Sequence, residues 1–207
     1  MSSRWQASID SVNEYVNVLR DSGVSGKINF IAFDVNINQY VRAMTWNANV
    51  PLEPVINNSV LEVVRSDVDI ASWPSLTGHE VTPRGGTPLY DAVIETKDLL
   101  KNDQSDKGIF LIITDGGENS SRSNKAGANS AIEVVKSKGW EVVFLGANFD
   151  NSVDAKSMGM SREYYASYQD GTEVQTMNYM ATRSALYASG TQSMALSDAD
   201  RKKNNLA

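Results

Sequence analysis

Apolar residues along the chain follow two patterns that alternate with each other. Short continuous runs rich in β-branched residues predict strands buried on both faces of a sheet, at residues 27–34, 109–113 and 140–145. Apolar residues repeating every three or four positions predict amphipathic helices at residues 3–20, 89–100, 126–138 and 172–188. Because strands alternate with helices, the pattern favours a doubly wound α/β sheet with right-handed crossovers.

Weaker patterns complete this outline. Residues 39–46 predict a second strand, which would form a hairpin with 27–34 because the link is short. Residues 60–64 fit a short strand or one helical turn, and the pattern does not choose between them. A short helix is predicted at 151–158 and an edge strand at 164–168. Residues 1–190 are therefore expected to form one domain, followed by a polar, frayed tail at 191–207.

The central stretch of the chain is the apolar run 109–113 with the residues that follow it. Thr114 and Asp115 come directly after the run, and Gly116 and Gly117 then turn the chain. Open α/β sheets bind ligands at the carboxyl ends of their strands, so Asp115 is a candidate metal or phosphate ligand. The alternative is that Asp115 only begins a turn, since Asp-Gly is a common turn pair.

A second motif, Gly85-Gly86-Thr87-Pro88, precedes the predicted helix 89–100. Pro88 suits the first helical position, which would place Thr87 at the helix cap. A threonine hydroxyl and a carboxylate on facing loops are hard oxygen ligands suited to Mg²⁺, Mn²⁺ or Ca²⁺. Thr87 and Asp115 are thus the candidate metal ligands. The alternative is that Thr87 is only a helix cap and Asp115 is only a turn residue.

Composition narrows the classes of function. The chain has 207 residues, a net charge of −6 and a pI near 4.8, which argues against a general nucleic-acid binder. It has no cysteine, which excludes disulfides, zinc–thiolate sites and cysteine catalysis. His79, the only histidine, has no identifiable catalytic partner in the sequence and is interpreted as a solvated residue. Without a secretory segment or a run of about 18 apolar residues, we expect a soluble cytoplasmic protein with no membrane contact.

Two linked motifs resemble the von Willebrand factor A (VWA) domain. Residues 85–92 (GGTPLYDA) and 110–116 (FLIITDG), with Glu118, Asn119 and Ser121, are similar to the bacterial and phage branch of that family. Residues 143–148 (VFLGAN) resemble the continuation of that branch. The resemblance extends to about Gly190.

The resemblance implies a mostly parallel sheet wrapped by helices, with a metal-ion-dependent adhesion site at its C-terminal edge. Thr87 and Asp115 match two ligands of that site, where Mg²⁺ bridges to a carboxylate of a protein partner. The family's Asp-x-Ser-x-Ser motif, at the end of its first strand, does not occur here, and residues 1–5 resemble those that follow it. We therefore expect the first central strand to be missing from this chain and divalent-metal binding to be weak or absent.

A missing central strand would leave a slot between strands 27–34 and 108–114. The alternatives to an open slot are that the sheet closes over it or that another chain donates a strand to it. A chain with an open slot is expected to self-associate. The function expected from the resemblance is a non-enzymatic protein-interaction module without catalytic residues. The alternative is a small Mg²⁺-dependent, phosphatase-like α/β hydrolase using Asp115, although no nucleophile, base or phosphate-gripping lysine stands beside that residue in the sequence.

Overall fold

A computed structural model describes residues 3–35, 59–81 and 85–207 of the chain. Within these ranges the helices are α1 (Ser3–Asp21), α2 (Leu89–Leu99), α3 (Lys125–Ser137), α4 (Ser152–Ser157), α5 (Glu173–Ala188) and α6 (Asp198–Asn204). The strands are β1 (Lys27–Phe33), β2 (Leu61–Asp69), β3 (Ile109–Thr114), β4 (Glu141–Ala147) and β5 (Tyr165–Tyr168). Short 3₁₀ turns occupy Ile70–Ser72, Leu100–Asn102 and Arg162–Tyr164.

The described strands form two sheets. β1 and β2 pair antiparallel, from Lys27 opposite Asp69 to Phe33 opposite Leu61, with an irregular register around Phe30. β3, β4 and β5 form a parallel sheet in that order. The predicted α/β class is confirmed. Within the described residues β4 is the central strand of the parallel sheet, and β3 pairs with β4 alone.

Helices cover the strands on two faces. On one face α2 and α3 pack over β3 and β4 around Leu89, Ile132 and Phe144, and Phe33 of β1 joins this cluster. On the other face α1 packs against α5, and their side chains cover both sheets. The core is therefore a strand layer between two helical layers, with the carboxyl ends of β1 and β3 at the same end.

Most predicted elements are confirmed to within one or two residues at each end. The spacing of apolar residues was sufficient because most of these helices and strands turn their apolar residues toward the core. The undecided residues 60–64 lead into and begin β2. The predicted strand at 39–46 and its hairpin lie outside the described residues.

The expectation of a frayed C-terminal tail is wrong. The segment contains α6, which begins with a capping box formed by Ser197 and Asp200. Met194, Leu196 and Leu206 are buried against β4, β5 and α5. These few apolar side chains, spaced among charged residues, hold the segment in place even though its composition is polar.

Ala207 also pairs with β5. Its N–H donates to the Ser167 carbonyl at 2.9 Å, and its carbonyl accepts from the Ser167 N–H at 3.0 Å. Arg201, a buried residue of α6, donates to the carbonyl of Tyr165 at 2.8 Å. The outer edge of β5 is thereby covered by residues that sequence composition alone had assigned to solvent.

Among the described helices, none combines the length and the apolar character needed to cross a bilayer.

Candidate functional site

The carboxyl end of β1 is tied to the loop of residues 85–87 through Asp34. This buried carboxylate accepts the N–H groups of Gly85 and Gly86, each at 3.1 Å from Oδ1. The N–H of Val35 donates to the same oxygen at 2.7 Å. Sequence analysis did not single out Asp34, although it follows its strand as directly as Asp115 follows β3. Its role in the structure is to position the two glycines before Thr87.

Because Gly86 has no side chain, its loop can lie close both to Val35, after β1, and to Ser120, in the loop after β3. A Cβ added at this position would overlap the side chain of Val35 and would lie 2.7 Å from the Ser120 hydroxyl oxygen. Thr87 then bonds the loop after β3 twice: its N–H donates to Asn119 Oδ1 at 2.8 Å, and its carbonyl accepts the Asn119 N–H at 3.2 Å. The glycine loop and the loop after β3 are therefore held side by side.

The two predicted ligand residues lie on these adjacent loops. A Cβ built on Gly116 would be 3.1 Å from Thr87 Oγ1, so the threonine hydroxyl lies beside the residue that follows Asp115. Thr87 is half-buried and Asp115 is exposed. Within the described part of the chain, neither the Thr87 hydroxyl nor the Asp115 carboxylate has a hydrogen-bond partner. Both oxygen groups remain available to a ligand.

Helix α2 does not begin as predicted. Pro88 stands at the N-cap rather than inside the helix, and Thr87 does not cap it. The first N–H groups are satisfied from the loop after β3 instead. The N–H of Tyr90 donates to Glu118 Oε2 at 2.9 Å and to Ser121 Oγ at 3.0 Å. A carboxylate at this position also complements the positive end of the helix.

Glu118 is fully engaged in holding this loop. Its Oε1 accepts the N–H groups of Ser120 and Ser121 at 2.9 and 2.8 Å, and its Oε2 accepts the Ser121 hydroxyl at 2.6 Å. Its own N–H donates to Asp154 Oδ2 at 3.2 Å, which links the loop to α4. Both carboxylate oxygens of Glu118 therefore hold the loop in place, and neither is free to bind a metal ion.

Asp91 has a similar role in the first turn of α2. Its buried carboxylate accepts the N–H of Arg122 at 2.8 Å and the N–H of Ser123 at 3.0 Å. Burial by itself would raise the pKa of Asp91, but hydrogen bonds from Ser123 and Arg122 and the charge of Arg122 outweigh it and lower the pKa. The ionised form of Asp91 is thus the form that the fold stabilises.

Replacing this carboxylate should change how stability depends on pH. Because the folded pKa lies below the unfolded value of about 3.9, Asp91 contributes stability above that value, which is lost as pH falls through the folded pKa. Asp91→Asn should lower the free energy of unfolding by about 1–3 kcal/mol at neutral pH, with a smaller loss near pH 2–3. Urea titrations across this range, with the exposed Asp98→Asn on the same helix as control, measure the difference. Equal losses for both variants at every pH would contradict the assignment.

The surroundings of the candidate site are negatively charged. Burial raises the pKa of Tyr168 to about 12, with smaller contributions from the carboxylates of Glu173, Asp115 and Asp170. Asp115 therefore lies close enough to the end of β5 to act on its tyrosine. A negative field at the carboxyl ends of the strands favours a cation over a phosphate at this position.

The donor set fits only a weakly held divalent cation. Thr87 and Asp115 supply one neutral and one charged oxygen, while Asp34, Asp91 and Glu118 are occupied by backbone N–H groups. Within the described ranges, no group of three or more histidine or acidic side chains is placed to hold a metal. Two protein ligands are compatible with Mg²⁺, which usually keeps several of its waters. His79 lies exposed in a turn.

A separate cleft lies between the segment after β4 and strand β5. Its volume is about 630 Å³, and Asn148, Asp150, Lys156, Arg162 and Gln169 are among its lining residues. Thr87 and Asp115 do not line it. The cleft is polar and carries charges of both signs, so it does not indicate one class of ligand.

Comparison with known proteins assigns no family to the chain. Protein-family models, curated proteins and solved structures gave no significant match. The resemblance to VWA domains therefore remains a prediction that rests on residues 85–92 and 110–121.

Proposed function

We propose that this chain is a non-enzymatic protein-interaction module of the VWA type, with a doubly wound sheet and a partial metal-ion-dependent adhesion site. Thr87 and Asp115 would hold a hydrated divalent cation, Mg²⁺ or a similar ion, at the carboxyl ends of the strands. One observation carries the proposal. These two oxygen groups have no partner among the described residues, while the carboxylates of Asp34, Asp91 and Glu118 are all hydrogen-bonded to backbone N–H groups.

The chain's own residues would set the geometry of such a site. Asn119 fixes the backbone of Thr87, and Asp34 fixes the two glycines before it. Asp115 is exposed at the surface, where a partner can approach. The cation would supply a positive charge with exchangeable waters, one of which a carboxylate of the partner can replace. The partner would therefore present an exposed aspartate or glutamate.

The hydrolase alternative gains no support from the neighbours of Asp115. A phosphatase-like reaction requires a nucleophile or a base within hydrogen-bond reach of the substrate. Glu118, the nearest carboxylate in the same loop, is occupied by Ser120 and Ser121, and its geometry serves the loop. Binding through Asp115 is the simpler use of these residues.

Weak cation binding at this site can be measured by paramagnetic broadening of amide signals. We expect low Mn²⁺ concentrations to broaden the amide signals of Thr87, Asp115 and Gly116 before other signals, and excess Mg²⁺ to reverse the effect. Asp115→Asn should remove this selectivity. Asp106→Asn, an exposed aspartate at the opposite end of β3, should leave it unchanged.

A carboxylate probe tests the second half of the proposal. Acetate added with Mg²⁺ should shift the same amide signals in the wild-type chain and not in Asp115→Asn. Broadening spread evenly over the acidic surface, or equal in both aspartate variants, would show that the site holds no specific cation. Selective broadening without any effect of acetate would retain the metal site and contradict the bridging role.

A further inference from the structure

The first turn of α5 contains a buried carboxylate without a partner. Glu173, the first residue of this helix, is 9% exposed. Among the described residues, none donates a hydrogen bond to its carboxylate and none forms an ion pair with it. Burying a carboxylate without such partners is unfavourable, so a group of this kind points to a ligand that supplies them.

The hydroxyl group of Tyr168 lies near this carboxylate. Burial raises the pKa of Tyr168 to about 12, and Glu173 is the first of three carboxylates that add to the rise, followed by Asp115 and Asp170. Tyr168 is 4% exposed, and within the described ranges its hydroxyl group has no hydrogen-bond partner. Two polar groups without partners, one from β5 and one from α5, therefore lie near each other at this end of the sheet.

The alternation of side chains places Asp115 on the same face of the sheet. Ile109, Leu111 and Ile113 pack into the apolar cluster on the side that α5 covers, and Tyr168 belongs to that cluster. Because side chains alternate along a strand, Asp115, two residues after Ile113, continues this series. Asp115 and Tyr168 thus lie on the face from which Glu173 approaches.

Asp115 and Tyr168 also lie in one row across β4. Thr114 pairs with Gly146, and Ala147 pairs with Tyr168. Asp115, the residue after Thr114, is therefore in the row of Ala147 and Tyr168, and two strand spacings of about 9–10 Å separate it from Tyr168. The residue between them is Ala147, and its small methyl side chain leaves space between the carboxylate and the tyrosine.

Asp170 differs from these groups because it already has partners. Its carboxylate accepts a hydrogen bond from the side-chain amide of Asn148, and its N–H donates to Asn148 Oδ1 at 2.5 Å. It is also exposed at the surface. Asp170 is therefore a charge near Tyr168 that the loop itself uses.

We propose that Glu173 completes the cation site from the α5 side, by accepting hydrogen bonds from the waters of the ion that Thr87 and Asp115 hold. This inference rests on the proposed function, because it concerns the same cation. A hydrated Mg²⁺ presents polarised water protons, for which a carboxylate is a strong acceptor. Contact through water agrees with the lack, among the described residues, of three acidic side chains placed to share one ion.

The alternative role for Glu173 is to complement the positive end of the α5 dipole. That role needs no cation, and it would appear in the stability of the metal-free chain. The two roles therefore predict different measurements, one of Mn²⁺ affinity and one of the melting temperature without metal.

Mn²⁺ titration of the full chain, followed by the broadening of the Thr87 and Asp115 amide signals, tests the inference. Glu173→Gln keeps the size of the side chain and removes its charge. We expect it to weaken Mn²⁺ binding by about threefold to tenfold, the range for the loss of one hydrogen bond. Asp170→Asn makes the same change in net charge, and it should change the affinity by less than about twofold because an exposed charge is screened by salt.

The results separate this inference from the proposed function. Equal Mn²⁺ affinities of the wild type and Glu173→Gln, or an equal loss in Asp170→Asn, would overturn the inference and retain the cation site. A lower melting temperature of metal-free Glu173→Gln with unchanged Mn²⁺ affinity would assign Glu173 to the helix dipole alone. If the wild type shows no selective broadening, the cation site and the role of Glu173 are both wrong.

Discussion

The double substitution Met194→Ala and Leu196→Ala is expected to lower the free energy of unfolding by about 4–10 kcal/mol, since each buried Met or Leu changed to Ala costs about 2–5 kcal/mol. Both side chains are almost fully buried, at 0% and 2% exposure. They pack with Val143 and Leu145 of β4 and with Met180 of α5. A loss of this size is a large fraction of the roughly 5–15 kcal/mol typical of a whole domain.

Backbone contacts add to this effect. The N–H of Met194 donates to Glu141 Oε2 at 2.7 Å, and the N–H of Leu196 donates to the Glu163 carbonyl at 2.8 Å. The segment is thus attached both at the start of β4 and just before β5. Loosening it should weaken the end of the sheet as well as the tail itself.

Urea unfolding followed by circular dichroism measures the change. The matched control is Lys202→Ala with Lys203→Ala, two exposed residues of α6 in the same segment, which should shift the midpoint very little. If both double variants unfold at the wild-type midpoint, residues 191–207 do not belong to the cooperative core.

Gly108→Ala is the second substitution with a large expected effect. A Cβ at this position would overlap the indole ring of Trp140, which precedes β4. Trp140 is 9% exposed, and its Nε1 donates to the Ser105 carbonyl at 3.2 Å, so the ring cannot move aside without losing packing and a hydrogen bond. Because overpacking costs about 1–3 kcal/mol or more, we expect a loss of about 3 kcal/mol.

Gly26→Ala is a matched control, because Gly26 also directly precedes a strand. Its added Cβ would lie 3.5 Å from Ile70 Cδ1, an ordinary van der Waals contact. Thermal unfolding of the two variants should show a clearly lower midpoint for Gly108→Ala alone. Equal midpoints would mean that Trp140 relaxes freely and that the start of β3 is not closely packed.

The helices and strands were predictable where one local pattern decides burial. In α1, Ile9, Val16 and Leu19 recur at helical spacing and are the residues that the fold buries. In β4 an unbroken apolar run became the fully buried central strand. These predictions succeeded because the faces of a helix or strand are set by residues that are near one another in sequence.

Proximity of Thr87 and Asp115 was also predictable, for a topological reason. Residues at the carboxyl ends of parallel strands, and the loops beside them, gather at one edge of a sheet. Whether a cation binds there remains a prediction. The network around the two residues was not predictable, since Glu118 and Ser121 reach the start of α2 from about thirty positions away.

The sequence by itself determined the α/β class, the bounds of most elements and the pair of oxygen groups at the candidate site. Tertiary structure decided which loop caps α2 and the burial of Met194, Leu196 and Leu206. The physical reason is the range of the interactions. Periodicity and turn chemistry act over a few residues, whereas capping by a distant carboxylate, burial of a few scattered apolar side chains and the pairing of strand edges depend on segments far apart in the chain.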